Sequence, residues 1–147
     1  MGSAQFDLRK TMDQYIGTKI VHAFPHQQAG KDGYAVHYAD GYTSWSPKDV
    51  FEEAYRRSDG MTFGLAIEAM KKGARVARAG WNGKGQFVYL VPAASYPVQT
   101  DAAKAHFGEG SMVPYNAYLA LKTVDERVST WVPSVTDCLA DDWRVIE

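Results

Sequence analysis

One segment of the chain carries a sustained helical period, and it limits what can form around it. Thr62 stands as an N-cap, Phe63, Ala66, Ile67 and Met70 recur at i, i+3, i+4 and i+7, and Gly73 stops the pattern after Lys71 and Lys72. The two lysines suit the negative end of a helix. Elsewhere the apolar runs are short and cut by turn residues. Arg75–Arg78 reads as a short strand, and Gln86–Val91 is apolar on both faces, as an inner strand is. Asn116–Leu121 and Arg127–Trp131 read as an antiparallel pair around Val124-Asp125-Glu126, and Trp143–Ile146 as a closing strand. One main helix among short strands joined by turns predicts an α+β fold with a mostly antiparallel sheet.

The N-terminal part repeats the theme on a smaller scale. Residues 1–18 are polar and weakly patterned, a short helix or a frayed arm. Lys19–Phe24 reads as a strand ended by Pro25. Tyr34–Tyr38 and Tyr42–Trp45 flank Asp40-Gly41, a hairpin signal that predicts a two-residue loop, with Val36 opposite Trp45. Ser46 then caps a helix with Pro47 at its first position, running to about Arg57 with Val50, Phe51, Ala54 and Tyr55 inward. The aromatic face of the hairpin serves either as core or as a binding surface. The expected organisation is a hairpin–helix module over 1–60 and a second domain over 61–147. Ala93–Pro114, with Pro97, Gly108, Gly110 and Pro114, reads as a long binding loop holding one helical turn at Asp101–Phe107.

Bulk properties narrow the function. The 147 residues are 46% hydrophobic and 22% charged, a globular balance. A net charge of −1 argues against a nucleic-acid coat or a membrane-surface binder. No apolar run approaches the roughly 18 residues a membrane helix needs. The N-terminal residues hold no apolar signal core. A lone cysteine, Cys138, forms no disulfide within the chain. Its acidic neighbours disfavour the thiolate, so a buried or inert thiol is expected.

No catalytic set emerges. His22 and His26 have metal-like spacing, but Pro25 prevents one helix from presenting both. Ser134, Thr136 and Asp137 have no nearby histidine, and no Gly-x-Ser-x-Gly is present. Gly80–Gly85 lacks the spacing of a phosphate loop and the Ser or Thr after its lysine. Asp137, Asp141 and Asp142 read as solvated acids, with metal-assisted hydrolysis as the sharper alternative.

Binding is better supported. Lys71, Lys72, Arg75, Arg78 and Lys84 are five basic residues in a stretch without an acid. They form either a solvated helix end and strand edge or a phosphate site. In the second reading Arg78 grips phosphate oxygens, the amides around Gly83 and Gly85 cradle an anion, and Trp81 offers an exposed indole on which a base stacks. Asn82 supplies a donor and an acceptor, and Trp131 a second aromatic wall. Trp143 reads as core.

Three motifs then stand in order: Met61–Gly73, Arg75–Gly85, and Trp131-Val-Pro-Ser-Val-Thr-Asp-Cys-Leu-Ala-Asp-Asp-Trp143. Together they resemble the phage Thoeris anti-defense 2 family over about residues 61–147. The N-terminal module is similar to a segment fused to various phage proteins. The resemblance implies a non-enzymatic sponge in the host bacterial cytoplasm. Such a protein sequesters glycocyclic ADP-ribose or cyclic dinucleotides, blocking Thoeris or CBASS-type signalling, and needs no cofactor or metal. It also implies a homo-oligomer, as a tetramer, with pockets between subunits. By motif, the implied ligand contacts are Phe63, Arg78, Trp81, Asn82, Trp131, Thr136 and Asp137. The module and the 93–114 loop lie outside the minimal pattern, and Cys138 stands where an aliphatic residue or Met is expected. The alternative is a phage protein–protein interaction module that acts on a host or virion protein.

Overall fold

The computed structural model describes residues 5–147 apart from residue 8. In chain order the elements are β1 (His22–Pro25), β2 (Gly33–His37), β3 (Thr43–Pro47), α1 (Lys48–Ala54), α2 (Phe63–Lys71), β4 (Arg75–Arg78), β5 (Phe87–Val91), β6 (Ala94–Pro97), α3 (Asp101–Phe107), β7 (Met112–Tyr115), β8 (Tyr118–Lys122), β9 (Val128–Thr130), α4 (Val135–Leu139) and β10 (Trp143–Ile146). The fold is α+β with antiparallel pairing in three sheets. Residues Met1–Ser46 and Pro47–Glu147 form two compact units.

In the first unit β1, β2 and β3 form one sheet in that order. The first strand starts later than the sequence pattern predicts and includes Pro25. The hairpin loop has three residues, not two. Tyr38 donates its N–H to Tyr42 O at 2.9 Å and accepts from Gly41 N at 3.0 Å. Gly41 has φ 87°, whereas Asp40 stays out of the left-handed region. One extra loop residue moves β3 by one position, and a shift of one turns every side chain to the other face. Trp45 therefore lies on the Gly33 face rather than opposite Val36. A Cβ on Gly33 would meet the Trp45 ring at 2.5 Å, and the Trp45 indole N–H donates to His26 O at 2.8 Å.

The second unit opens with α1. Pro47, at ψ 146°, is still extended, so the helix starts one residue later than predicted, without a side-chain cap. It ends at Ala54, not near Arg57, with Tyr55 extended at φ −126° and ψ 147°, and Arg56 turns its guanidinium back onto the carbonyls of Glu52, Glu53 and Tyr55. No residue of α1 is buried, and Val50 and Ala54 are exposed. Phe51 and Tyr55 stack on each other with centroids 4.8 Å apart.

Helix α2 and its sheet agree closely with the sequence pattern. The Thr62 hydroxyl accepts from Leu65 N, and Gly73, at φ 93°, donates to Met70 O at 2.9 Å. The five strands run in the order β10-β4-β5-β8-β9, so β5 is central and β10 lies beside β4 at one edge. Val76 pairs with both Val88 and Val145, and Trp143 with Arg78. These residues share the face covered by Phe63, Ala66 and Met70 of α2. Trp143 is fully buried at its centre. The opposite face carries Ala77, Phe87, Lys122 and Arg144. Met61 exchanges two backbone hydrogen bonds with Trp143, which closes part of the β10 edge.

The 93–114 segment is not a long open loop. It is a strand–helix–strand excursion in which β6 pairs with β7 from Ala94↔Tyr115 to Pro97↔Met112. The predicted helical turn is present as α3, capped by Thr100 through Ala103 N. Pro97 and Pro114 are compatible with pairing because each strand of a two-stranded ribbon keeps one edge free of partners. Val98 and Val113 give the excursion its own buried contacts.

Candidate functional site

The site is assembled where β4 runs into the Ala79–Gln86 turn. Arg78 ends β4 on the α2 side, and its guanidinium meets two carboxylates. Nε donates to Asp142 Oδ1 at 2.8 Å and Nη1 to Asp137 Oδ1 at 3.0 Å. Asp142 also accepts from Gly80 N at 2.9 Å through its other oxygen. Asp137 is the third residue of a capping box. Its carboxylate accepts from Ser134 N at 3.0 Å, and the Ser134 hydroxyl accepts from Asp137 N at 3.0 Å. Thus α4 is anchored at its start, and the anchor also holds the arginine.

The electrostatics follow from these bonds. The hydrogen bonds to Asp142 and Asp137 hold the guanidinium proton of Arg78 more tightly than in a free arginine. Asp142 is held below the usual carboxylate range, mainly by Arg78. Burial works against the charge on Asp137, but the Ser134 amide, Arg78 and the Trp81 indole outweigh it and also hold it below that range. The reading of Asp137 and Asp142 as solvated acids is therefore incorrect. Their side chains are 13% and 32% exposed, because the strand order brings them to an arginine that lies 59 and 64 residues earlier in the chain. Nor is Arg78 an unpaired cation, since two carboxylates surround it.

An aromatic box adjoins this network. Trp81 packs edge-on against Trp131 and Trp143, with centroids at 6.1 and 5.3 Å. Phe63 touches Trp131 and Trp143 at 6.2 and 5.2 Å. The Trp143 indole donates to Asp137 O at 2.9 Å, and the Trp81 indole lies 3.4 Å from Asp137 Oδ1. Trp81 is therefore half-buried rather than fully presented, and it also lines a cleft. Five of the seven residues singled out by sequence, Phe63, Arg78, Trp81, Trp131 and Asp137, come together in one chain. Asn82 is exposed on the turn and Thr136 is exposed in the first turn of α4. Cys138, expected to be buried or inert, is exposed.

The cleft has a volume of about 400 Å³ and runs along the turn, between Trp81, Lys84 and Phe87 and the residues Ala77 and Arg144 on the far side of the sheet. Arg144 and Phe87 escape the sequence reading. The signal for Arg144 is strand parity: on β10 it must point opposite to buried Trp143. The glycines of the turn keep its walls thin. A Cβ on Gly83 would meet Gln86 Oε1 at 2.5 Å. Among the described residues no group of three His, Cys, Asp or Glu is placed to hold a metal ion, and no helix is long and apolar enough to cross a membrane.

Comparison with known proteins adds two observations. Residues 61–146 match the family model of the Thoeris anti-defense 2-like domain. The chain is also similar to a protein of Bacillus phage SP01 named Thoeris anti-defense 2, with 37% identity over 91 residues that cover 58% of this chain and 94% of the relative. The family match spans α2, the whole sheet, the aromatic box and the arginine network.

Proposed function

Because the chain belongs to the Thoeris anti-defense 2-like family, we propose that it acts inside an infected bacterium as a sponge for a nucleotide-derived immune signal. It binds glycocyclic ADP-ribose, with cyclic dinucleotides as a second ligand class, and releases them unaltered. The observation that carries this reading is the partly buried Trp81 indole, held by Trp131, Trp143 and Asp137 beside a cleft large enough for a small ligand. A base stacked on such a ring gains on the order of 1–3 kcal/mol. Its contacts to Trp131, Trp143 and Asp137 hold the ring in one place before a ligand arrives, which lowers the ordering cost of binding.

Absence of turnover belongs to the same proposal. Asp137, the acid best placed for chemistry, already serves Arg78, Ser134 and Trp81. The residues proposed to build the ligand site are Phe63, Arg78, Trp81, Asn82, Trp131, Thr136 and Asp137, some by touching the ligand and some by holding those that do. Buried Phe63 contributes by backing Trp131. Homo-oligomerisation, as a tetramer, is part of the same proposal, and an apolar strip around α4 supports association of copies: Val132, Val135 and Leu139 are 85%, 75% and 80% exposed. Incubation with glycocyclic ADP-ribose followed by heat denaturation should return the intact ligand. Failure to bind it, or recovery of a cleaved product, overturns the reading.

A second reading rests on the first unit, where Phe24 and Tyr42 are 51% and 64% exposed. They suit a contact with a host or virion protein. Capture of one stoichiometric protein by Trp81→Ala as well as by the wild type would favour it.

A further inference from the structure

The cleft beside the Ala79–Gln86 turn carries more positive charge than the ion-pair network uses. Three cations line it: Arg78, Lys84 and Arg144. Arg78 is surrounded by Asp137 and Asp142, so those three groups together sum to one negative charge. An anion that drew the guanidinium away would leave two carboxylates unpaired in a site that is mostly closed to water, which is costly.

Lys84 and Arg144 differ. Both are exposed, and neither has a salt bridge or a side-chain hydrogen bond among the described residues. They reach the cleft from two separate elements, Lys84 from the turn and Arg144 from β10. Arg144 stands across the ladder from Ala77, whose small side chain leaves the floor open. Phe87 and Trp81 border the same space.

We propose that Lys84 and Arg144, and not Arg78, are the groups that hold the phosphate oxygens of the ligand in this cleft. Two unpaired cations match the two phosphate charges that both ligand classes proposed above carry, with the base on Trp81. Arg78 is a positioning residue that fixes the turn through Asp142 and the indole through Asp137. The inference rests on the nucleotide-signal reading above, and it adds the residues that hold the phosphates.

The test uses the full chain, with Lys84→Ala, Arg144→Ala and the double variant. Glycocyclic ADP-ribose, ADP-ribose, cyclic di-GMP and inorganic pyrophosphate are the probes, read by calorimetry and thermal shift. Each single variant should weaken the binding of a two-charge probe by roughly 10- to 100-fold, as loss of one charge-assisted hydrogen bond does. The double variant should bind none. Because both side chains are exposed, the melting temperature without ligand should stay within a few degrees of the wild type. Pyrophosphate separates the two ideas. If no nucleotide binds but pyrophosphate stabilises the wild type and not the double variant, the nucleotide reading fails and the cation pair stands. If a nucleotide binds and the double variant retains its affinity within twofold, the cation pair is overturned. If no probe stabilises the wild type, both are overturned.

Discussion

The Nε of Arg78 lies 2.8 Å from Asp142 Oδ1, and with the second contact to Asp137 this one guanidinium ties the end of β4 to α4 and to the start of β10. Removing one partner from such a group leaves the others desolvated and unpaired. Arg78→Met should destabilise the protein by roughly 2–3 kcal/mol, less than a fully buried network would lose because Asp142 keeps some solvent. Arg78→Lys keeps the charge but not the fork that reaches both acids, so it should recover only part of that loss. Urea denaturation of the two variants provides the comparison, and equal stability of wild type and Arg78→Met would refute a structural role for the pair.

The same acids set a pH dependence. Asp137 and Asp142 are both held below the usual carboxylate range in the folded protein. Their contribution is therefore complete above the unfolded value of about 3.9 and is lost as pH falls through the lower folded values. The melting temperature should be nearly level between about pH 7 and 5 and drop below about pH 4. Asp142→Asn should melt lower at neutral pH and lose less on acidification. An identical acid profile for wild type and variant would rule out Asp142 as a source of the drop.

The tryptophans should separate stability from binding. Trp143 is fully buried and bonded to Asp137 O, so Trp143→Ala should cost about 3–5 kcal/mol and threaten folding. Trp81 is only half-buried, and Trp81→Phe keeps a ring against its neighbours while it loses the indole N–H. That variant should fold, with a stability loss of about 1 kcal/mol, and bind a nucleotide more weakly. Circular dichroism and calorimetry on the same samples distinguish the outcomes. Unchanged affinity in Trp81→Phe and in Trp81→Ala would place the binding surface elsewhere.

Gly80 tests the turn. A Cβ there would stand 2.9 Å from Asp142 Oδ2, the oxygen that accepts the Gly80 N–H. Gly80→Ala should push the carboxylate off that amide and lower stability by roughly 1–2 kcal/mol. Gly60, where an added methyl group would meet nothing within 4 Å, is the control, and Gly60→Ala should stay within about 0.5 kcal/mol. Matching melting curves for the two variants would show that Asp142 adjusts freely.

Local signals are legible wherever local physics decides. The cap, period and stop of α2, the inner character of β5, the buried Trp143 and the helical turn at α3 all follow from neighbouring residues. The sequence misleads where one residue changes a register or where distant parts meet. The hairpin loop depends on whether Asp40 adopts positive φ, which the Asp-Gly pair alone does not decide. The ribbon of β6 and β7 is obscured by prolines that only a two-stranded sheet accommodates. The charge of the site is hidden because a run of bases without acids in sequence receives two acids in space. The aromatic box is only half visible, since Trp81 looks exposed on its turn until Trp131 and Trp143 are brought against it.

The strand order has a consequence for the newly made protein. Within the five-stranded sheet, β10 follows every other strand in sequence yet lies beside β4, which precedes them all. As the chain leaves the ribosome, Trp81 and its turn emerge early and wait, with the hydrophobic side of α2 uncovered, until Trp143 arrives. Arg78 meanwhile has neither carboxylate. Arg78, Trp81 and the two carboxylates are thus brought together only once that strand has docked.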